Sequence, residues 1–181
     1  MVKIFNVGVA SKDTERKVMI LIKDSGSRTE FETGAVRDIQ EGKGRCDLMP
    51  LDVLSALMDS IEIHAIECFR KTGFVHYLHL CLKWFQENHE YCSIEEMLLD
   101  VAKHFEEGAK KYGENNWQKG IPLHSYIDSA VRHYLKHSAG IIDERHDRAF
   151  VWNILCAAWT FQNIPELDDF TVRKEEENAS N

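Results

Sequence analysis

Apolar side chains recur at helical spacing over most of the chain between Pro50 and Pro165, and this periodicity restricts the fold more than any other feature. Short polar or glycine-containing breaks interrupt the pattern, so a series of amphipathic helices is predicted. The periodic segments cover residues 51–70 (as one helix or two), 74–88, 94–111, 123–137 and 143–164. Because each helix must bury its apolar face against a neighbour, the sequence predicts a mainly α fold, a single helical domain.

Local signals set the expected helix ends. Ser93 followed by Glu96 predicts a capping box, and Asp143 is expected to begin the last long helix. Pro50 suits the first turn of the first helix. The apolar face of that helix is expected to consist of Leu51, Val53, Leu54 and Leu57.

Two β-rich runs precede the helical region, at residues 2–10 and 17–23, with a polar segment between them. They predict a small N-terminal β hairpin within a ribbon of residues 1–30. The ribbon could be an oligomer contact or a cover for the helical core, and the packing role is favoured. Residues 31–165 are expected to form the helical domain and residues 166–181 an acidic, flexible tail.

Composition excludes several classes of function. The net charge of −8 argues against a long nucleic acid as partner, because such proteins present a basic face. The five cysteines are scattered and lack a C-x-x-C pair, which favours a reducing compartment. No signal peptide is recognisable and the longest apolar run, Val18–Ile22, cannot cross a membrane. A cytoplasmic protein with no membrane partner is expected.

Acids and cations alternate on the helix that precedes Tyr112. Glu106 and Lys110 are four residues apart, as are Glu107 and Lys111, so they could be surface ion pairs. The turn that follows concentrates aromatic and amide side chains, which could stack on a nucleobase and hydrogen-bond to its edge. The chain therefore offers either an ordinary solvated helix or one wall of a nucleotide site.

Further candidates flank this turn. Asp143, Glu144 and Asp147 are closely spaced acids, and clustered oxygen ligands suit Mg²⁺ or Mn²⁺. Alternatively, these acids could simply interact favourably with the positive N-terminal end of their helix. The glycine-rich loop with Lys43 and Arg45 could bind phosphate, although a solvated loop is the simpler interpretation and the spacing is not that of a Walker A motif.

Several strings in these segments resemble the phage and prophage family of dATP/dGTP diphosphohydrolases, N-terminal domain type, which is grouped loosely with the all-α MazG-like nucleotide pyrophosphohydrolases. The resemblance covers roughly residues 32–162, and residues 59–92 look like an insertion relative to shorter members of the family. The strings are residues 34–39 with 42–50, 108–122, 128–133, and 143–146 with Trp152 and Asn153.

The resemblance implies hydrolysis of a purine deoxynucleoside triphosphate to monophosphate and pyrophosphate, assisted by Mg²⁺ or Mn²⁺, and a homo-oligomer that completes its sites across an interface. The implied catalytic residues are Glu107, His133 and His146. The implied metal ligands are Glu106, Glu107, Asp143, Glu144 and Asp147. Phosphate contacts would come from Lys43, Arg45, Lys110, Lys111, Lys119 and Arg132, and base contacts from Tyr112, Asn116, Trp117 and Asn153.

Two other interpretations stay open. MazG-type enzymes carry Glu-x-x-Glu on one helix and Glu-x-x-Asp on the next, and only Glu144-x-x-Asp147 fits here. This departure favours a phage-type sponge that captures a nucleotide or nucleotide second messenger without cleaving it. The third interpretation is a structural helical module with no ligand.

Overall fold

The structure is a computed structural model that describes residues 26–89 and 91–172. Over these residues the chain is mainly helical, as predicted, with a small antiparallel strand pair near its N-terminal end. The helices are α1 (Leu51–Met58), α2 (Ile61–Thr72), α3 (His76–Asn88), α4 (Ile94–Tyr112), α5 (Leu123–Ser138) and α6 (His146–Asn163). Short 3-10 turns lie at Cys46–Leu48, Asn116–Lys119 and Pro165–Leu167.

The strand pair consists of β1 (Arg28–Glu30) and β2 (Val36–Asp38). The strands are antiparallel, with Arg28 opposite Asp38. Gly34 has φ +76°, which permits the tight turn between them. The predicted hairpin at residues 2–10 and 17–23 lies outside the described residues, and β2 falls in the stretch that the sequence suggested was a loop.

Helices α5 and α6 form the centre of the core. Tyr126 and Val131 of α5 and Phe150 of α6 are fully buried. The α2–α3 pair, which occupies most of the segment predicted as an insertion, packs against the same centre: the rings of Phe85 and Phe150 are 4.6 Å apart. Burial of large side chains contributes about 1.5–3 kcal/mol each, so α2 and α3 help to stabilise α5 and α6. None of the described helices is long and apolar enough to cross a membrane.

Several predicted boundaries are confirmed. The Ser93 hydroxyl accepts a hydrogen bond from the Glu96 amide at 3.2 Å, and the Glu96 carboxylate accepts one from the Cys92 amide at 2.7 Å. The helix that follows therefore starts at the predicted N-cap, Ser93, although the return bond from Glu96 goes to the residue before the cap. The predicted start of the last helix at Asp143 is wrong, since α6 begins at His146. The Asp143 carboxylate lies 2.7 Å from Nε2 of the His146 imidazole.

The predicted apolar face of α1 is only partly correct. Leu51 is fully buried, whereas Val53 and Leu57 are 61% and 82% exposed. The short helix buries Ser55 on its inner side, so the face that packs is rotated from the one that apolar spacing suggested.

Candidate active site

A cavity of about 700 Å³ lies between β2, the C-terminal half of α4, the turn at residues 113–117, and the facing sides of α5 and α6. Ligand sites for small molecules are typically about 300–1,000 Å³ in volume. The space is therefore large enough for a nucleotide.

The turn after α4 fixes β2 at the edge of this cavity. The Asn116 side chain donates a hydrogen bond to the Val36 carbonyl at 2.6 Å and accepts one from the Val36 amide at 2.9 Å. Thr33 donates to the carbonyl of Gly120, whose φ is +106°. A Cβ at Gly120 would lie 2.6 Å from Leu167 Cδ1, so only glycine fits there without a shift. Part of the 108–122 string therefore builds the cavity wall.

Arg37 of β2 lines the cavity and has no carboxylate within ion-pair distance in the part of the chain that the structure describes. Its guanidinium donates to the Ser125 carbonyl at 3.1 Å and to the Asn153 amide oxygen at 2.5 Å. It also lies 5.2 Å from the centre of the Tyr126 ring. Burial lowers the pKa of Arg37 below its ordinary value, and the charge of Arg132 lowers it further. A desolvated cation with several unused donors is suited to an anionic ligand.

Arg132 organises the glycine-rich loop beside Arg37. Its guanidinium donates to the carbonyls of Lys43 and Gly44 at 3.2 and 3.3 Å and pairs with the buried Asp128. Asp128 in turn accepts a hydrogen bond from the Cys46 amide at 2.6 Å. The loop is thus bound to α5 rather than only solvated.

The six cations predicted to contact phosphate are distributed unevenly. Lys43 and Arg132 line the cavity, and Lys43 also pairs with Asp38 at 2.7 Å. Arg45 forms a bidentate pair with Asp47, Lys110 pairs with Glu106 on the exposed face of α4, and Lys111 approaches Asp38 at 3.8 Å. Lys119 reaches the Gly34 carbonyl at 3.5 Å.

All four predicted base-contact residues lie on the cavity wall: Tyr112, Asn116, Trp117 and Asn153. The Asn116 and Asn153 amides are already hydrogen-bonded, to Val36 and to Arg37 and Ala149. The amides therefore hold the wall, while the rings of Tyr112 and Trp117 offer apolar surface.

Three buried polar atoms of cavity-lining residues have no hydrogen-bond partner in the described structure. They are Gln40 Nε2, His104 Nδ1 and Trp152 Nε1. Buried polar groups are nearly always paired, so these three atoms are positions at which an ordered water or a ligand atom would supply the missing partner. Burial lowers the pKa of His104 to about 4, and the Arg148 charge lowers it further, so this imidazole is neutral at pH 7.

Two histidines and two carboxylates meet where α5 faces the start of α6. His133 Nδ1 and His146 Nδ1 are 3.0 Å apart, and each is 3.4 Å from a Glu144 carboxylate oxygen. His146 Nε2 lies 2.7 Å from Asp143 Oδ1. Burial lowers the pKa of His133 to about 3, although the Glu144 carboxylate opposes this shift. Among the described residues, only His133, Glu144 and His146 form a group of three metal-binding side chains.

The five acids predicted as metal ligands are not gathered at one point. Asp143 and Glu144 lie beside the histidines, whereas Glu107 contacts Arg148 at 3.3 Å and Glu106 pairs with Lys110. Asp147 is held by Arg145 at 2.6 Å and by the Tyr91 hydroxyl at 2.9 Å. Burial alone would raise the pKa of Asp147, but the Arg145 hydrogen bonds and charge lower it to about 2.

Sequence reasoning missed Arg37, Gln40, His104 and Trp152. Gln40 directly follows the 34–39 string, and Arg37 and Trp152 were noted only as members of the strings. The available signal was an arginine in a short run that is otherwise apolar except for Asp38, Ala35-Val36-Arg37-Asp38-Ile39.

Residues 91–170 match a family model described as dATP/dGTP diphosphohydrolase, N-terminal. This range contains α4, α5 and α6 and therefore His104, His133 and Glu144. It does not include β2 or the loop with Lys43. No curated protein and no solved structure matches the chain. The match over residues 91–170 supports the resemblance to this family that the strings carry.

Proposed function

We propose that this protein hydrolyses purine deoxynucleoside triphosphates, dATP or dGTP, to the monophosphate and pyrophosphate with a divalent cation. The observation that carries the proposal is the single cavity that combines an unneutralised arginine, three unpaired polar atoms and a His–carboxylate group. The family match over α4 to α6 supports a hydrolase of this class.

Charge and shape suggest how a nucleotide would lie. Arg37, Lys43, Arg132 and Lys136 line the cavity and can receive a polyphosphate. The rings of Tyr112 and Trp117 offer stacking surface for the base. The unpaired nitrogens of Gln40 and Trp152 can donate to ring nitrogens or a carbonyl of a purine.

The reaction needs a nucleophile and a proton acceptor. The water oxygen attacks the α-phosphorus, the bond from that phosphorus to the α–β bridging oxygen breaks, and pyrophosphate leaves with the bonding electrons. His104 lines the cavity as a neutral imidazole, and we assign it to accept the water proton, because the negative charge of a bound polyphosphate would raise its lowered pKa. A divalent cation, which His133, Glu144 and His146 could hold, would neutralise phosphate charge and acidify the attacking water. Arg37 and Arg132 offset the charge that develops on the phosphate oxygens.

One observation favours the alternative of a nucleotide sponge. Glu106, Glu107 and Asp147 each contact a lysine or arginine, and the described residues hold no second cluster of metal-binding side chains. The same arginines, lysines and rings would bind a nucleotide without cleaving it.

Turnover separates these possibilities. Purified protein is incubated with each of the four deoxynucleoside triphosphates, with Mg²⁺, Mn²⁺ or chelator, and products are resolved by anion-exchange chromatography. The proposal expects dAMP or dGMP with equimolar pyrophosphate, in the presence of cation. A nucleotide that binds stoichiometrically and is recovered intact establishes the sponge. A melting temperature that no nucleotide raises establishes the structural module.

A further inference from the structure

We propose that the cation site consists of His133 Nδ1, His146 Nδ1 and Glu144 Oε1, and that it selects a transition-metal dication such as Mn²⁺, Fe²⁺, Co²⁺ or Zn²⁺ over Mg²⁺. The inference rests on the proposed function for the role of the ion in catalysis. The site itself follows from the geometry of three side chains.

The three ligand atoms already have the spacing that a metal ion requires. Their separations are 3.0, 3.4 and 3.4 Å. An ion bonded at about 2.0–2.2 Å to nitrogen and oxygen ligands sets neighbouring ligands about 3.0 Å apart at octahedral angles and about 3.4 Å apart at tetrahedral angles. Binding would therefore need little movement of the three side chains.

Asp143 gives His146 the tautomer that ligation needs. Its carboxylate is 2.7 Å from His146 Nε2, so that nitrogen carries the proton and donates it. The lone pair is then on Nδ1, the atom that faces His133 and Glu144. A carboxylate that orients a ligating imidazole in this way is the usual outer support of metal sites. Asp143 is thus a positioning residue, absent from the ligand set itself.

Ligand chemistry determines the class of ion. Two imidazoles and one carboxylate suit Mn²⁺, Fe²⁺, Co²⁺ and Zn²⁺, whereas Mg²⁺ prefers oxygen ligands and retains most of its waters. His146 is 2% exposed, while His133 and Glu144 line the cavity. The open coordination positions are therefore on the cavity side, where Arg132 and Lys136 also lie.

Metal binding to the chelator-treated full chain tests the inference without requiring turnover. Mn²⁺ is titrated by calorimetry and by electron paramagnetic resonance, with pulsed measurements of nitrogen coupling, and Co²⁺ by its visible absorption. We expect one site per chain, ¹⁴N coupling from imidazole, and no displacement by a hundredfold excess of Mg²⁺. Absence of binding, or Mn²⁺ without nitrogen coupling, overturns the proposal.

Variants identify the ligands. Glu144→Gln and His133→Gln should weaken Mn²⁺ binding at least tenfold, and Asp143→Asn about 10- to 100-fold with unchanged stoichiometry. Asp169→Asn is the matched control, because Asp169 pairs with His124 outside the cavity, at 2.5 Å. Glu106→Gln tests the acid set implied by the resemblance. Mn²⁺ affinity lost in Glu106→Gln but kept in Glu144→Gln contradicts the proposal.

His146 is buried, so a variant there can fail to fold; circular dichroism is recorded for every variant, and the more exposed Glu144 and His133 decide the outcome. The two proposals fail separately. If Mn²⁺ binds with nitrogen coordination but no nucleotide is hydrolysed, the metal site is supported and the hydrolase proposal is rejected. If Mg²⁺ supports hydrolysis by Glu144→Gln as well as by the wild-type protein, the hydrolase proposal is retained and this metal site is rejected.

Discussion

Replacing Arg37 by methionine should weaken nucleotide binding strongly while it changes the stability of the folded protein only slightly. The substitution keeps an unbranched side chain of similar length but removes a guanidinium that lies against Tyr126 and bonds to Ser125 and Asn153. Each lost hydrogen bond costs about 0.5–1.5 kcal/mol. Against this, the variant no longer buries an unneutralised charge, so the free energy of unfolding should change by about 1 kcal/mol or less.

Nucleotide affinity should fall much further. A charge-assisted hydrogen bond to an anion contributes about 1.5–3 kcal/mol, equivalent to roughly 10- to 150-fold in the dissociation constant. Calorimetric titration with dGTP measures affinity, and urea unfolding monitored by circular dichroism measures stability. Arg37→Lys should lie between wild type and Arg37→Met, because lysine keeps the charge and loses the planar fork.

Arg45→Met is the matched control, since Arg45 pairs with Asp47 and does not line the cavity. Its dGTP affinity should be within about twofold of wild type. If Arg37→Met binds dGTP as tightly as wild type, the guanidinium is structural and the cavity does not receive phosphate there. If Arg45→Met loses as much affinity as Arg37→Met, the loss comes from the lower positive charge of the protein and not from a specific contact with Arg37.

Three further outcomes follow from single contacts. The pKa of Asp147 is lowered to about 2 in the folded chain, so its roughly 2 kcal/mol of stabilisation is present above pH 4 and lost as pH falls towards 2. In Asp147→Asn the melting temperature should therefore depend less on pH between 4 and 2, and a pH dependence equal to that of wild type would contradict this. Gly120→Ala should lower the free energy of unfolding by about 2–3 kcal/mol, because φ is +106° and the added Cβ meets Leu167. Gly108→Ala, in helical backbone with open space, should raise it by up to about 1 kcal/mol, and urea unfolding that ranks the two variants in the opposite order would contradict the prediction. Tyr112→Ala should weaken dGTP binding by about 1–3 kcal/mol of stacking energy while Tyr112→Phe retains it, and equal losses in a calorimetric titration would refute the stacking role.

Local sequence signals predicted the helices well because they depend on neighbours in the chain. Ser93 and Glu96 form their capping box within four residues, and Gly73 ends α2 in the left-handed conformation that glycine allows. The start of α6 was missed because the Asp143 and Glu144 carboxylates contact imidazoles, one of them on α5. Such a contact depends on tertiary packing, which periodicity does not describe.

The same distinction explains what sequence could say about the cavity. Tyr112 and Trp117 are concentrated in one short turn, so composition alone suggested a ring-lined pocket there. Arg37 reaches Asn153 across more than a hundred residues, and no local pattern marks that partnership. The proposed cation site was predicted only in part: the resemblance implied five acids as metal ligands and His133 and His146 as catalytic residues, whereas the fold brings these two histidines together with Glu144.

Helix α5 connects the two halves of the proposed site. Asp128 and Arg132, one turn apart, hold the loop at Lys43 and Cys46 against the helix, and the adjacent His133 faces His146. Asp128 is fully buried, and its carboxylate is stabilised by the Arg132 guanidinium and the Cys46 amide. The Asp-Ser-Ala-x-Arg-His string therefore combines two tasks on one helix: it anchors a cationic loop and supplies the His133 imidazole of the proposed cation site. A displacement of α5 would alter the phosphate end and the cation end of the cavity together.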